Sequence, residues 1–232
     1  AAIGALPGIE IEGLFTHFSR ADEMEKTSAM TQLGRYLHFT ELLKARGLEI
    51  PIKHCSNSAG IIDLPQANLN CVRAGITMYG MYPSEEVQKD KVPLKPALGL
   101  KSFVTYVKEL GPGEEISYGG TYVTERTMRI ATVAVGYGDG YPRSLSNCGY
   151  VLICGKRARI LGRVCMDQLM VDVTDIMEAD VDTPVTLIGK DGDEEITMEH
   201  LAELCGGFHY EMVCDIGKRV PRVYYRGGKV VG

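Results

Sequence analysis

A change of hydrophobic period near residues 93–96 most constrains how this chain can fold. Before it, short apolar runs alternate with helical patterns, as in Ile9 to Phe18 followed by Glu23 to Arg46. After Gly99, apolar and polar residues mostly alternate, and turn sequences such as Gly227-Gly228 separate the runs. The first pattern is typical of βα units around a parallel sheet, and the second indicates antiparallel strands. The sequence therefore predicts two domains, residues 1–95 and 96–232.

The first domain is predicted to place polar residues at the ends of parallel strands. The predicted strands are Ile9 to Phe18, Ile50 to Cys55 and Asn70 to Arg73. One helix is predicted over Glu23 to Arg46 and another from about Asn57. In a (β/α)8 barrel the active site lies at the carboxyl ends of the strands. The residues that fall there are His17, Ser56 to Ser58, and Arg73 to Gly75.

The second domain is predicted to be mostly β structure. Strands are expected within residues 128–135, 149–173, 185–189 and 223–231, with a turn near Gly155. One helix is predicted over Met198 to Cys205, with Thr197 as its N-cap and Gly206-Gly207 after its end.

Composition excludes several classes of function. A net charge of -5 and a pI near 5.6 predict no nucleic-acid partner. No apolar stretch approaches the ~20 residues that span a bilayer, and residues 1–7 lack the basic start of a signal peptide, so we expect a cytoplasmic protein. The seven cysteines show no zinc spacing, which predicts reduced thiols and no metal site.

Seven segments of the chain occur together in one known family, in that family's order. They are Gly13-Leu-Phe-Thr-His-Phe18, His54-Cys-Ser-Asn-Ser-Ala59, Arg73-Ala-Gly-Ile-Thr-Met-Tyr-Gly80, Ser117-Tyr-Gly119, Gly136-Tyr-Gly-Asp-Gly140, Gly162-Arg-Val-Cys-Met-Asp-Gln168 and Arg219-Val-Pro-Arg222. From about Ile9 onward the chain resembles the fold-type III alanine racemases, which use pyridoxal 5′-phosphate (PLP). The resemblance implies that residues 1–95 form the C-terminal part of a PLP-binding (β/α)8 barrel and residues 96–232 a C-terminal β domain.

The lysine that carries PLP in this family has no match in the chain. In the family it lies near the start of the protein, in a Val-Lys-Ala-Asn-Ala-Tyr-Gly type of segment. Lys53 follows a predicted strand, but its setting, Pro51-Ile-Lys-His-Cys55, is different. We therefore expect this chain to be an incomplete part of the enzyme that lacks about five of the eight barrel strands. Alone, it is expected to be inactive, and Lys53 is the first alternative lysine to test.

The resemblance assigns the catalytic chemistry to Tyr118, His17 and Arg73. Racemisation removes a proton from one face of the α-carbon and returns it on the other, so two acid/base groups are needed. The family uses the PLP lysine and a tyrosine, here Tyr118. A phenol with a pKa near ~10 is a poor base at neutral pH, so nearby positive charge must favour its ionised form. The resemblance implies that Tyr118 contacts His17, His17 contacts Arg73, and Arg73 faces the pyridine nitrogen.

The cofactor phosphate requires N–H and hydroxyl donors at strand or helix ends. The resemblance assigns this role to Asn57, to the Ser58 hydroxyl and to the backbone N–H groups of Gly75 and Ile76. It also implies that Tyr210 touches the phosphate and narrows the pocket around the substrate side chain.

The resemblance places further residues around the substrate. Met166 and Asp167 are similar to a segment that reaches the partner subunit's site, where a backbone N–H meets the substrate carboxylate. Residues that match the substrate entrance of the family are Tyr137, Arg163, Arg143 and Asp22. A head-to-tail homodimer is therefore implied.

These features predict an alanine racemase that interconverts L- and D-alanine by a two-base mechanism and supplies D-alanine for peptidoglycan. Tyr210 favours alanine over serine. A serine/alanine racemase of the same family is the nearest alternative. A decarboxylase is disfavoured because Arg73 would oppose a protonated pyridine ring and because residues 162–167 match the racemase pattern. A non-catalytic PLP-binding or interaction protein is the alternative from another class.

Overall fold

The computed structural model describes residues 2–232, which divide into two compact units. The units are Ala1–Ala97 and Leu98–Gly232, and each contains its own cluster of buried apolar residues. Among the described residues, no helix has both the length and the apolar character needed to cross a membrane.

The first unit contains a short parallel sheet and two α-helices. The sheet pairs β1 (Gly13–Phe15) with β2 (Ile52–His54), and Phe15 lies opposite His54. The helices are α1 (Thr27–Lys44) and α2 (Ser58–Asp63). Short 3-10 helices cover Ile3–Ala5, Pro65–Ala67, Ile76–Tyr79 and Lys89–Lys91.

Helix α1 buries one stripe of residues and begins later than predicted. Its buried residues recur every three or four positions, as expected for an amphipathic helix, and they are Ala29, Leu33, Tyr36, Thr40 and Leu43. The predicted start at Glu23 is wrong, because the ammonium of Lys26 binds the carbonyls of Ala21 and Glu23. The carboxylate of Glu25 accepts from the N–H of Thr27, so the first helical turn begins there.

The predicted strands of the first unit are shorter in the structure. Pairing between Ile9 and Phe18 is limited to the three residues of β1, because β2 offers only three partners. The predicted strand from Asn70 to Arg73 is reduced to a single bridge between His54 and Cys71. The Asn70 side chain accepts from the N–H of Lys53 and donates to the carbonyl of Pro51, in place of a backbone ladder. The predicted third strand is thus replaced by an extended segment.

The second unit is built from eleven strands and two α-helices. The strands are β3 (Leu100–Leu110), β4 (Glu115–Ile116), β5 (Tyr122–Val123), β6 (Met128–Val133), β7 (Tyr150–Ile153), β8 (Lys156–Leu161), β9 (Leu169–Asp172), β10 (Pro184–Asp191), β11 (Glu194–Ile196), β12 (Tyr225–Arg226) and β13 (Lys229–Val230). The helices are α3 (Met198–Cys205) and α4 (His209–Asp215).

Six of these strands close into an antiparallel barrel. The pairing order runs β10, β3, β6, β9, β8 and β7, and β7 pairs again with β10. Closure gives each of the six strands two neighbours within the barrel, which removes the exposed edges of an open sheet, and β10 also pairs with β11. Register shifts lie between Val104 and Tyr106 and between Thr186 and Ile188. Such bulges increase local twist and bend the strands that carry them.

Helix α3 spans Met198–Cys205, as the sequence predicts. The Thr197 hydroxyl accepts from the N–H of His200, and Gly206 ends the helix at φ 63°. Helix α4 was not predicted, because its N-cap residue, Phe208, provides no side-chain hydrogen bond and the helix has only seven residues. Tyr210 therefore lies in a helix.

Candidate active site

The side chain of Arg73 crosses the carboxyl ends of both strands of the first unit. Its Nη2 lies 3.2 Å from Nδ1 of His17 and donates to the carbonyls of Thr16 at 3.0 Å and Cys55 at 3.1 Å. Its Nη1 lies 2.5 Å from Nδ1 of His54 and 3.3 Å from that residue's carbonyl oxygen. The predicted pair of His17 and Arg73 is therefore in contact in the structure.

The direction of these hydrogen bonds sets the state of both imidazole rings. A guanidinium group only donates, so Nδ1 must act as acceptor in His17 and His54, and the proton of each neutral ring lies on Nε2. For His54, burial and next the positive charge of Arg73 lower the pKa below its ordinary value. The Nε–H of Arg73 has no acceptor among the described residues.

His54 also belongs to this network, although the sequence predicted no role for it. Its ring stacks on Phe15, with centroids 5.5 Å apart, and Arg73 lies 5.3 Å from the centroid of Phe15. One sequence feature could have pointed to His54, because it lies at the end of a predicted strand, as His17 does. Strand register, which places Phe15 opposite His54, produces the contact.

Gly75, one of the residues predicted to bind phosphate, contacts the hydroxyl of another, Ser58. Its Oγ lies 3.0 Å from the backbone nitrogen of Gly75 and 3.1 Å from Oγ1 of Thr77. The N–H of Ile76 donates to no backbone carbonyl of the described residues. The Asn57 side chain accepts from the backbone N–H of Gly60 and thereby caps α2. Thr77 is a further hydroxyl that the sequence reading did not assign.

The Tyr118 segment lies between β4 and β5 in the second unit. Tyr118 is 71% exposed, and the preceding Ser117 has a φ of 67°. The Ser117 hydroxyl donates to the carbonyl of Arg163 at 2.7 Å. A Cβ on Gly119 would lie 3.3 Å from Nη1 of Arg163, so this predicted entrance residue packs against Gly119. The hydrogen bond from Ser117 and the packing of Gly119 against Arg163 thus hold the loop, while Tyr118 stays exposed.

Two further loops of the same unit carry Tyr137 and Met166, and backbone hydrogen bonds join them. The N–H of Tyr137 donates to the carbonyl of Cys165 at 3.0 Å, and the N–H of Gly138 donates to the carbonyl of Met166 at 2.8 Å. Met166 is 54% exposed, and its own N–H donates to no carbonyl of the described residues. The side chain of neighbouring Asp167 accepts from Arg219 at 2.6 Å.

The remaining predicted residues lie in separate settings. Arg143 starts a 3-10 helix, and its carbonyl accepts from the hydroxyl of Ser146, which in turn accepts from the N–H of Val164. Tyr210 stacks on Phe208, with ring centroids 4.7 Å apart. In the first unit, none of the described contacts joins Asp22 to Arg73. No group of three or more His, Cys, Asp or Glu among the described residues is arranged to hold a metal ion.

Both units match models of one protein family. Residues 1–83 match the family model described as alanine racemase, N-terminal domain, and residues 97–224 match alanine racemase, C-terminal domain. The chain belongs to the alanine racemase family. The predicted family resemblance is thereby confirmed.

Curated relatives and solved structures cover nearly all of the chain. The alanine racemase of Clostridium perfringens is 47% identical over 229 residues, which are 99% of this chain and 59% of that protein. The alanine racemase of Methanococcus maripaludis is 47% identical over 222 residues, 96% of this chain and 59% of that protein. The chain therefore spans 59% of the length of these two relatives.

The structural matches confirm the predicted fold class, a partial (β/α)8 barrel followed by a β domain. The structure of an alanine racemase of Clostridium difficile 630 in complex with cycloserine has a TM-score of 0.93 and 42% identity, and it covers 99% of this chain and 60% of that one. A Bacillus anthracis alanine racemase with bound L-Ala-P also has a TM-score of 0.93 with 42% identity, covering 97% of this chain and 58% of that one.

Proposed function

We propose that the complete protein is a PLP-dependent alanine racemase that acts as a homodimer. The observation that carries the proposal is the contact between Arg73 and His17 at the carboxyl ends of β1 and β2, in a chain of this family. We further propose that it supplies D-alanine for peptidoglycan in the cytoplasm.

The residues of the first unit fit the cofactor. The convergent donors around Ser58, Gly75 and Ile76 match a phosphate group, and the carboxylate of Asp63 in helix α2 is paired with Lys26 rather than directed at them. When bound, PLP supplies an electron sink for the carbanion that remains after the α-proton leaves. Arg73 would face its pyridine nitrogen through the Nε–H that the protein leaves unused.

An arginine at that nitrogen has a chemical consequence. A guanidinium group stays protonated at all accessible pH values and has no acceptor site, so it can donate to a ring nitrogen but cannot give up its proton. It therefore opposes protonation of the pyridine ring. His54 and His17 both accept from Arg73, and this double contact keeps the guanidinium in one orientation.

Tyr118 is the proposed acid/base group on one face of the substrate. In the proposed homodimer, the Nε2–H of His17 from one subunit, opposite the nitrogen that accepts from Arg73, would donate to the phenolic oxygen of Tyr118 from the other and favour its ionised form. We propose that Tyr118 and the backbone N–H of Met166 reach the cofactor bound by the partner subunit. The second acid/base group would be the family's PLP lysine. We propose that Tyr210 narrows the pocket around the substrate side chain and thereby favours alanine over serine.

The test is Tyr118→Phe in the complete protein, with Tyr106→Phe as control because Tyr106 is a similarly exposed tyrosine on β3. Racemisation should fall by roughly 100- to 10,000-fold in the first variant and remain unchanged in the second. Exchange of the α-proton with deuterium from solvent should become unequal between the enantiomers, while PLP remains bound. Near-normal rates in both directions for Tyr118→Phe would exclude this role.

A further inference from the structure

The segment that follows α4 connects the two loops around Met166. Arg219, in this segment, places Nε 2.7 Å from Oδ1 of Asp139 and Nη2 2.6 Å from Oδ1 of Asp167. Asp139 belongs to the 3-10 turn that carries Tyr137, and Asp167 follows Met166. One guanidinium group therefore joins the proposed entrance turn to the proposed substrate-binding segment.

Asp139 fixes its own turn at the same time. Its second oxygen, Oδ2, accepts from the N–H of Gly136 at 2.9 Å, and its carbonyl accepts from the N–H of Gly217 at 2.9 Å. The bond from Gly136 orients the carboxylate, whose other oxygen accepts from Arg219. The turn and the segment after α4 thus form one hydrogen-bonded unit.

The two loops approach too closely for side chains between them. A Cβ on Gly136 would lie 2.2 Å from the carbonyl oxygen of Cys165, and a Cβ on Gly138 would lie 2.9 Å from Nη2 of Arg219. Close packing and the bond from Gly138 to the Met166 carbonyl leave little freedom on one side of the segment. On the other side, Arg219 binds the exposed side chain of Asp167.

We infer that Arg219 is a positioning residue that orients the Met166 N–H and offsets two carboxylates next to the substrate carboxylate. This inference rests on the proposed function. With Arg219, the group formed with Asp139 and Asp167 carries one net negative charge, and without it the group carries two. An incoming carboxylate would then meet both a less ordered donor and stronger repulsion. The contact between Arg73 and His17 takes no part in this role of Arg219.

The test uses Arg219→Met in the complete protein, with Lys218→Met as the matched control, because Lys218 is the adjacent exposed cation and forms no ion pair among the described residues. For Arg219→Met we expect the KM for L-alanine and D-alanine to rise together by roughly 5- to 10-fold, with a much smaller change in kcat. Inhibition by propionate, which is alanine without its amino group, should weaken by a similar factor. Lys218→Met should leave all three values unchanged.

Salt dependence separates this role from a purely structural one. Added salt screens repulsion between exposed charges, so the raised KM of Arg219→Met should fall toward the wild-type value as ionic strength increases. The double variant Arg219→Met/Asp167→Asn should recover part of the lost affinity without salt. If Arg219→Met does not fold, the test uses Arg219→Lys instead. This variant keeps the positive charge but lacks the planar fork that binds both carboxylates. Its expected KM rise is roughly 2- to 3-fold.

The outcomes distinguish the two proposals. An inactive wild-type protein would refute the racemase proposal. An active wild type with an unchanged KM in the Arg219 variants would overturn the positioning role alone. A raised KM that is insensitive to salt and to Asp167→Asn would also overturn it.

Discussion

Replacing Tyr141 with phenylalanine should stabilise the second unit. Tyr141 is only 2% exposed, and its hydroxyl has no hydrogen-bond partner among the described residues. Burial also raises the pKa of this phenol above its ordinary value, so the group is neutral. Tyr141→Phe keeps the buried ring and removes only the unpaired oxygen.

The expected gain follows from two opposing effects. A buried hydroxyl without a partner costs about 1 to 3 kcal/mol in lost hydration. The void left by one oxygen atom costs a few tenths of a kcal/mol on a scale of about 24 cal/mol per Å³. We therefore expect the free energy of unfolding to rise by about 1 kcal/mol.

Tyr36→Phe is the matched control, and we expect it to lower the free energy of unfolding instead of raising it. Tyr36 is 6% exposed, but its hydroxyl donates to the carbonyl of Leu14 at 2.7 Å. Removing the hydroxyl loses this buried hydrogen bond, so a loss of about 1 kcal/mol is expected. Native-state hydrogen exchange gives local unfolding free energies, read from β6 for Tyr141→Phe and from α1 for Tyr36→Phe. A loss of 1 kcal/mol or more in Tyr141→Phe, about as large as that expected for Tyr36→Phe, would refute the reasoning.

Two further substitutions test the ion pair and the close packing of the fold. Lys26 Nζ lies 2.8 Å from Oδ2 of the fully buried Asp63 side chain, so Lys26→Met should destabilise the first unit by about 3 kcal/mol. Adding Asp63→Leu should recover much of that loss in urea denaturation, and no recovery would contradict an uncompensated charge as the cause. A Cβ on Gly140 would lie 2.0 Å from the carbonyl oxygen of Asp215, and Gly140 has a φ of 96°. Gly140→Ala should therefore cost about 2 kcal/mol or more. The control Gly34→Ala, in α1 with nothing near its Cβ, should add about 0.5 to 1 kcal/mol in the same assay. Equal effects of the two alanines would contradict steric exclusion at Gly140.

Family resemblance predicted a set of candidate site residues, and local patterns predicted several elements. Helix α3 follows its N-cap and glycine signals because those signals act within a few residues of each other. The pair of His17 and Arg73 was predicted from matching segments, and their side chains are in contact in the structure. Composition alone could not have joined residues so far apart in the chain.

Contacts between distant segments decided the rest. Alternating apolar residues predict strands, but closure of the six-stranded barrel depends on β7 meeting β10, which alternation does not encode. Asn70 has the pattern of a strand residue, yet its side chain takes the hydrogen bonds that a third strand would make. Likewise, Arg219 was only part of a matching motif until folding brought Asp139 and Asp167 to the same guanidinium group. Sequence patterns report each residue's local preferences, whereas register, closure and charge pairing depend on which partners the tertiary fold brings within a few ångströms.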